Sequence, residues 1–244
     1  MKNFNKKLII AAALLPTMVS ATPITYEANV PVDHVYIPSG FDSNDSAEAV
    51  VTGFLPNLCY KAPKSTVSIK EGKITVSVKA TKNIAGGRMA YCANVIVPYT
   101  ESISIGVLDK GKYKVSVNES SSWELNSNIN IAEASSHSID DDIYANVDEV
   151  SRLDDTSRKV VLKGYNPSDC FELKEIIIID NGVDTYSVLP KMKQVKEFCP
   201  KKMIPFAYEV EVPQRLEADK VLLHVRVMDG RSVNSFFNNK PLSE

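Results

Sequence analysis

The four cysteines are the residues of this chain best placed to do chemistry, and their surroundings repeat. Cys59 closes the run Gly53-Phe54-Leu55-Pro56-Asn57-Leu58-Cys59 and is followed by Tyr60. Cys170 closes Gly164-Tyr165-Asn166-Pro167-Ser168-Asp169-Cys170 and is followed by Phe171. Each has a second cysteine downstream, Cys92 and Cys199, trailed at the same interval by Pro98-Tyr99 and Pro205-Phe206. An even cysteine count in an exported chain reads first as disulfides, and four cysteines allow three connectivities. The duplication selects Cys59 with Cys92 and Cys170 with Cys199. Each bond closes a loop of about 30 residues, worth roughly 3–4 kcal/mol in the chain-entropy model. A zinc site would call for close cysteine pairs, which this spacing lacks. With all four committed, no thiol is left as a nucleophile.

The remaining reactive side chains form no known constellation. There are three histidines. His34 and His137 fall in loops or strand starts. His224 sits in Val221-Leu222-Leu223-His224-Val225-Arg226-Val227, where Leu223, Val225 and Val227 share one face. Period-two geometry therefore turns His224 and Arg226 outward, toward solvent or a ligand. No Gly-x-Ser-x-Gly, His-Glu-x-x-His or P-loop occurs. No catalytic residue, metal or cofactor is assigned, although carboxylates that converge only in space stay open. Asp42, Asn44 and Asp45 could contact calcium, but the glycine and distal glutamate of an EF-hand are missing. Asp140-Asp141-Asp142 reads as a solvated acidic turn. Lys191, Lys193, Lys196, Lys201 and Lys202 cluster around Cys199 in an otherwise acidic chain. With His224 and Arg226 they make a candidate binding patch for an acidic glycan, a lipid head group or the chain's own Asp140–Asp142. The motif glycines are expected to serve an unusual backbone angle and the prolines to end a ladder.

The first residues supply the compartment. Lys2, Lys6 and Lys7 form a basic head, Leu8 to Met18 is mostly apolar, and Val19-Ser20-Ala21 offers small residues to a signal peptidase. That is the plan of a secretory signal peptide over residues 1–21, too short to span a bilayer. The expected location is secreted or periplasmic, with no transmembrane segment in the mature chain. Loss of three lysines takes the formal charge from −2 to −5. An acidic balance is a poor footprint for nucleic acid.

The elements that must carry these residues read as strands. Thr66 to Ala80 alternates about Glu71-Gly72, and Tyr113, Val115 and Val117 alternate with polar residues. Phe171–Ile179 precedes Asn181-Gly182, the strongest short hairpin signal. Tyr91–Val97, Glu197–Ile204, Tyr208–Val212 and Val221–Met228 add strands, and Asp229-Gly230 turns the chain back through Ser232–Phe236. Tyr186–Leu189 is expected to stop at Pro190, and residues 22–32 to be a mobile N-terminus. The fold class is all-β: two tandem antiparallel β-sandwiches of immunoglobulin-like size from an internal duplication, each with one disulfide. The divisions are a β-sandwich at 33–118, an acidic Ser/Asn-rich connector at 119–157 in which Ile129-Asn130-Ile131 and Ile143-Tyr144 could be short strands, and a second sandwich at 158–244. Trp123, the single tryptophan, would pack back on the first copy or cover the junction.

The function this favours is an exported, non-catalytic binding or structural module whose partner is an unidentified protein, glycan or envelope component. Three alternatives stand beside it. The two-sandwich build resembles the periplasmic chaperones of surface fibres, in architecture alone. A disulfide-pinned loop, Lys82–Met89 or Pro190–Glu197, could inhibit a protease. Loop carboxylates could serve an enzyme.

Overall fold

The computed structural model describes residues 24–84, 92–138, 140–154 and 157–239. The signal-peptide stretch and most of the Lys82–Met89 loop lie outside them. Nearly all regular structure is strand, in two halves of eight. The first half contains β1 (Ile24–Asn29), β2 (Val32–Tyr36), β3 (Ser46–Leu55), β4 (Lys64–Lys70), β5 (Lys73–Ile84), β6 (Val97–Val107), β7 (Gly111–Val117) and β8 (Leu125–Ile131). The second contains β9 (Ile143–Tyr144), β10 (Val147–Arg152), β11 (Lys159–Asn166), β12 (Phe171–Asp180), β13 (Thr185–Gln194), β14 (Ile204–Glu211), β15 (Lys220–Val227) and β16 (Arg231–Asn238).

The duplication covers every strand. β1, β4, β5, β7 and β8 form a five-stranded sheet, and β9, β12, β13, β15 and β16 form its counterpart with the same pairings. The three-stranded sheets β2-β3-β6 and β10-β11-β14 match likewise. Each half also holds one parallel pair, β5 with β7 and β13 with β15, within otherwise antiparallel ladders. In both halves a five-stranded sheet packs on a three-stranded one. The first core includes Val51, Ile74, Val76, Ile103, Val115 and Ile129; the second includes Val160, Leu162, Tyr186, Val188, Leu223 and Val225.

Local chemistry explains the turns. Glu71 and Gly72 both have positive φ, the geometry a two-residue hairpin between twisted strands prefers. At the β12–β13 turn the Asn181 side-chain oxygen accepts the amides of Val183, Asp184 and Thr185 at 2.9–3.0 Å. The motif glycines do something other than expected. Neither Gly53 nor Gly164 has a positive φ. A Cβ on Gly53 would lie 2.1 Å from the Pro31 carbonyl oxygen, and one on Gly164 2.1 Å from that of Asn146. The glycines let the strand before them approach, so that Phe54 and Tyr165 can donate to those same carbonyls.

Cys59–Cys92 and Cys170–Cys199 are formed, with Cα separations of 5.4 and 5.5 Å. Each joins the connection leaving β3 or β11 to the connection entering β6 or β14, so it staples two sheet-to-sheet crossovers.

Several boundaries differ from the sequence reading. Residues 92–96 and 195–203 are not strands. Their backbone is held by crossover contacts, such as Leu58 N to Ala93 O and Val195 N to Cys170 O. β13 continues through Pro190, whose carbonyl accepts the Ala145 amide, so Pro190–Gln194 is strand and not part of an open loop. Ile24–Asn29 is a paired strand. The stretch 119–157 contributes β8 to the first half and β9 and β10 to the second. Its polar composition hid the beginning of β8 at the inward Leu125, while Ile129 and Ile131 were legible. Trp123 sits in the β7–β8 turn and is among the exposed large side chains.

The two halves stack. The outer face of β2-β3-β6 lies against the outer face of the second five-stranded sheet, where Tyr36 and Val50 meet Leu222 and Phe236. The second five-stranded sheet is thus covered on both sides, and β15 is buried from Val221 to Val227.

Candidate functional site at the junction of the halves

Buried charged side chains gather at the junction: Asp45, Asp184, His224 and Arg226. Arg226, on β15, points away from the core of its own half and into the first. It forms an ion pair with Asp45, and its Nη1 donates to the Gly40 carbonyl at 3.0 Å. The rings of Phe41 and Tyr144 lie 5.2 and 4.9 Å from the guanidinium. Asp45 also accepts the Asp42 amide at 2.9 Å. Sequence reasoning turned Arg226 and His224 outward. The direction is right relative to the second core, but both side chains are buried, because the first half covers that face.

His224 is 1% exposed. Its Nδ1 is 2.9 Å from Asn234 Oδ1 and 3.8 Å from Glu48 Oε1. Burial pushes the imidazole below its ordinary value, against the pull of Glu48. Glu48 accepts from Ser232 Oγ and Asn234 Nδ2, each at 2.7 Å. Asn234 Nδ2 also reaches Ser102 Oγ at 3.0 Å. A hydroxyl, a carboxylate and an imidazole therefore stand together, but in the wrong order for a nucleophile. The hydroxyl donates to the carboxylate, and the imidazole faces an amide.

At the opposite edge of the junction, His34 Nε2 lies 2.5 Å from Asp184 Oδ2. Burial alone would raise Asp184, but hydrogen bonds from His34, Asn181 and Thr185 outweigh it and hold the carboxyl low. Asn181 Nδ2 crosses to the Ile37 carbonyl and Ser187 Oγ accepts the Ser39 amide, both at 3.0 Å.

Beside Arg226 opens a cleft of about 820 Å³, whose lining includes Asp140, Asp142, Tyr144, Phe171, Gln194 and Arg231. Burial raises Asp140, whose Oδ1 accepts the Asp142 amide. Asp142 pairs with Lys191 at 2.6 Å. Asp141 is held well below the usual carboxylate range by hydrogen bonds from Ser135, Ser136 and Asn44. Asp141 thus reaches the first half through Asn44, whose backbone amide in turn donates to Asp42, while Asp142 pairs within the second half. Among the described residues no group of three His, Cys, Asp or Glu side chains converges as metal ligands.

The lysines of the candidate patch are partly engaged within the chain. Besides Lys191, Lys193 pairs with Glu172 at 3.3 Å and Lys196 with Asp169 at 3.0 Å. Lys201 and Lys202 are exposed, as is His137. The structure separates these exposed lysines from His224 and Arg226, which are enclosed in the junction. Asp45 was read only as a possible calcium contact, and Glu48, Asp184 and Asn234 escaped the sequence reading. One signal was available: Leu222 shares a face with His224 and Arg226, and a strand apolar on both faces is covered twice.

One family model matches the chain, over residues 49–126: an ORF11 beta-sandwich domain. The match runs from within β3 into β8, all in the first half, and covers less than half of the chain. No curated protein and no solved structure matches it.

Proposed function

We propose that the chain is an exported, non-catalytic binding module of the cell envelope or exterior, built as two docked β-sandwiches. The observation that supports this reading is how the polar groups beside the cleft at Arg226 are used. Arg226 is spent on Asp45 and Glu48 on Ser232 and Asn234, contacts that hold the halves together, while Lys191 is spent on Asp142 within the second half. Disulfides confined within each repeat suit an oxidising compartment. The signal-peptide pattern at residues 1–21 agrees with that location. A docked pair presents rigid sheet faces and loops, a scaffold for holding a protein, glycan or envelope partner.

The test is affinity capture. Oxidised residues 22–244 are immobilised, offered envelope and secreted fractions, and crosslinked for mass spectrometry. The expected result is a retained partner whose capture survives His34→Ala and His137→Ala. Turnover of a defined substrate, with a pH–rate profile abolished by changing one cleft carboxylate, would overturn the reading.

A further inference from the structure

The outer face of the first five-stranded sheet is the counterpart of the face that forms the junction in the second half, yet it is solvent-exposed and chemically opposite. Strand registers align the two. Lys73 faces Lys114 where Thr185 faces Leu222, Ser68 faces Thr75 where Ile179 faces Ser187, and Thr66 faces Ser77 where Ile177 faces Leu189. Asn128 stands at the place of Phe236. Apolar junction positions of the second half are thus lysine, hydroxyl or amide in the first.

These side chains form rows across the strands. Lys70, Lys73 and Lys114 face one another in succession on β4, β5 and β7, with Asn128 next on β8. Ser68, Thr75, Ser116 and Asn126 form the adjoining row. Lys64 faces Lys79 at the other end, and Lys112 faces Asn130. Like charges directly opposite on a sheet destabilise it. Neighbouring strands lie about 4.8 Å apart, so the three lysines spring from adjacent positions of one row. Lys73 pairs with Glu119 at the rim, and Glu124 stands near Lys73 and Lys114. Lys64, Lys70, Lys79, Lys112 and Lys114 form no ion pair within the described residues. The covered hydroxyl of Ser116 has no hydrogen-bond partner, so bonding capacity as well as charge is left over on this face.

We infer that this face binds a linear acidic polysaccharide. Recurring carboxylate or sulfate groups relieve the two lysine rows, and sugar hydroxyls meet the serine, threonine and asparagine rows between them. The rows carry no apolar side chain that could insert into a bilayer. The inference deepens the binding-module reading and rests on it.

The test measures binding of oxidised residues 22–244, at low ionic strength, to heparin, polygalacturonate, neutral dextran and anionic phospholipid vesicles. Heparin or polygalacturonate should bind, and dextran and vesicles should not. Lys70→Glu with Lys114→Glu should weaken polysaccharide binding by more than about tenfold. The same variant should keep or raise the melting temperature, since each new carboxylate faces Lys73. Lys64→Gln with Lys79→Gln should also weaken binding, whereas Lys193→Glu, Lys201→Glu and Lys202→Glu should leave it unchanged. Failure of both acidic polysaccharides to bind, undiminished binding by the face variants, or binding to the vesicles instead would overturn the inference. A chain that binds neither polysaccharide but still captures a partner overturns this inference alone. A chain that turns over a substrate overturns the binding-module reading beneath it.

Discussion

Arg226 is held by a carboxylate, a carbonyl and two ring faces, all but the ring of Tyr144 supplied by the first half. Removing one member of a buried ion pair leaves the other charged and unsolvated, at a cost of about 3–5 kcal/mol. Arg226→Ala should lose stability on that scale in urea denaturation, and Arg226→Met with Asp45→Leu should regain most of it. His224 gives the junction a pH dependence. The ordinary histidine value is about 6.5, and burial holds the folded one lower. As pH falls below about 6.5 the unfolded chain takes up a proton that the folded chain refuses, so stability is full above that pH and declines below it. Asp140, raised by burial, works in the opposite sense. The readout is therefore the difference between the wild-type melting curve and that of His224→Gln, which should be flatter from about pH 7 to 5.

The one-sided burial of a strand was legible in the sequence, and burial on both faces was not: β15 was read as a strand, but with His224 and Arg226 turned to solvent or a ligand. β4, β5 and β7 alternate, and their hairpin and inward residues follow from period two. β15 has no such period because the neighbouring half takes over the face that solvent would occupy. β8 was read only at its end, Ile129–Ile131, because serine and asparagine dilute its three inward apolar residues. The cysteine repeat was legible because both bonds answer the same local need, tying two crossovers at one end of a sandwich. Replacing Cys59 and Cys92 by alanine, or Cys170 and Cys199, should each cost about 3–4 kcal/mol by loop closure. Thermal melts of the two double variants check this, and peptide mapping without reductant should return Cys59–Cys92 and Cys170–Cys199 in the parent.

The duplication announced two sandwiches, but which faces meet depended on pairing partners up to 186 residues apart, such as Gly40 with Arg226. No local pattern carries that separation. The stacking makes the halves unequal. Detached from the first, residues 140–244 would bare Ile177, Ile179, Leu189, Leu222 and Phe236 on one sheet. That half should bind a hydrophobic dye and aggregate on size exclusion, whereas residues 22–138 should elute as a monomer.

An array grown by duplication can lengthen for as long as each unit brings the surface on which the next one docks. In this chain one half retains an adhesive surface, and at the matching place the other carries lysines that repel their own neighbours. The same backbone grid thus serves as a connector in one copy and as a charged, self-repelling face in the other, free to meet something other than itself.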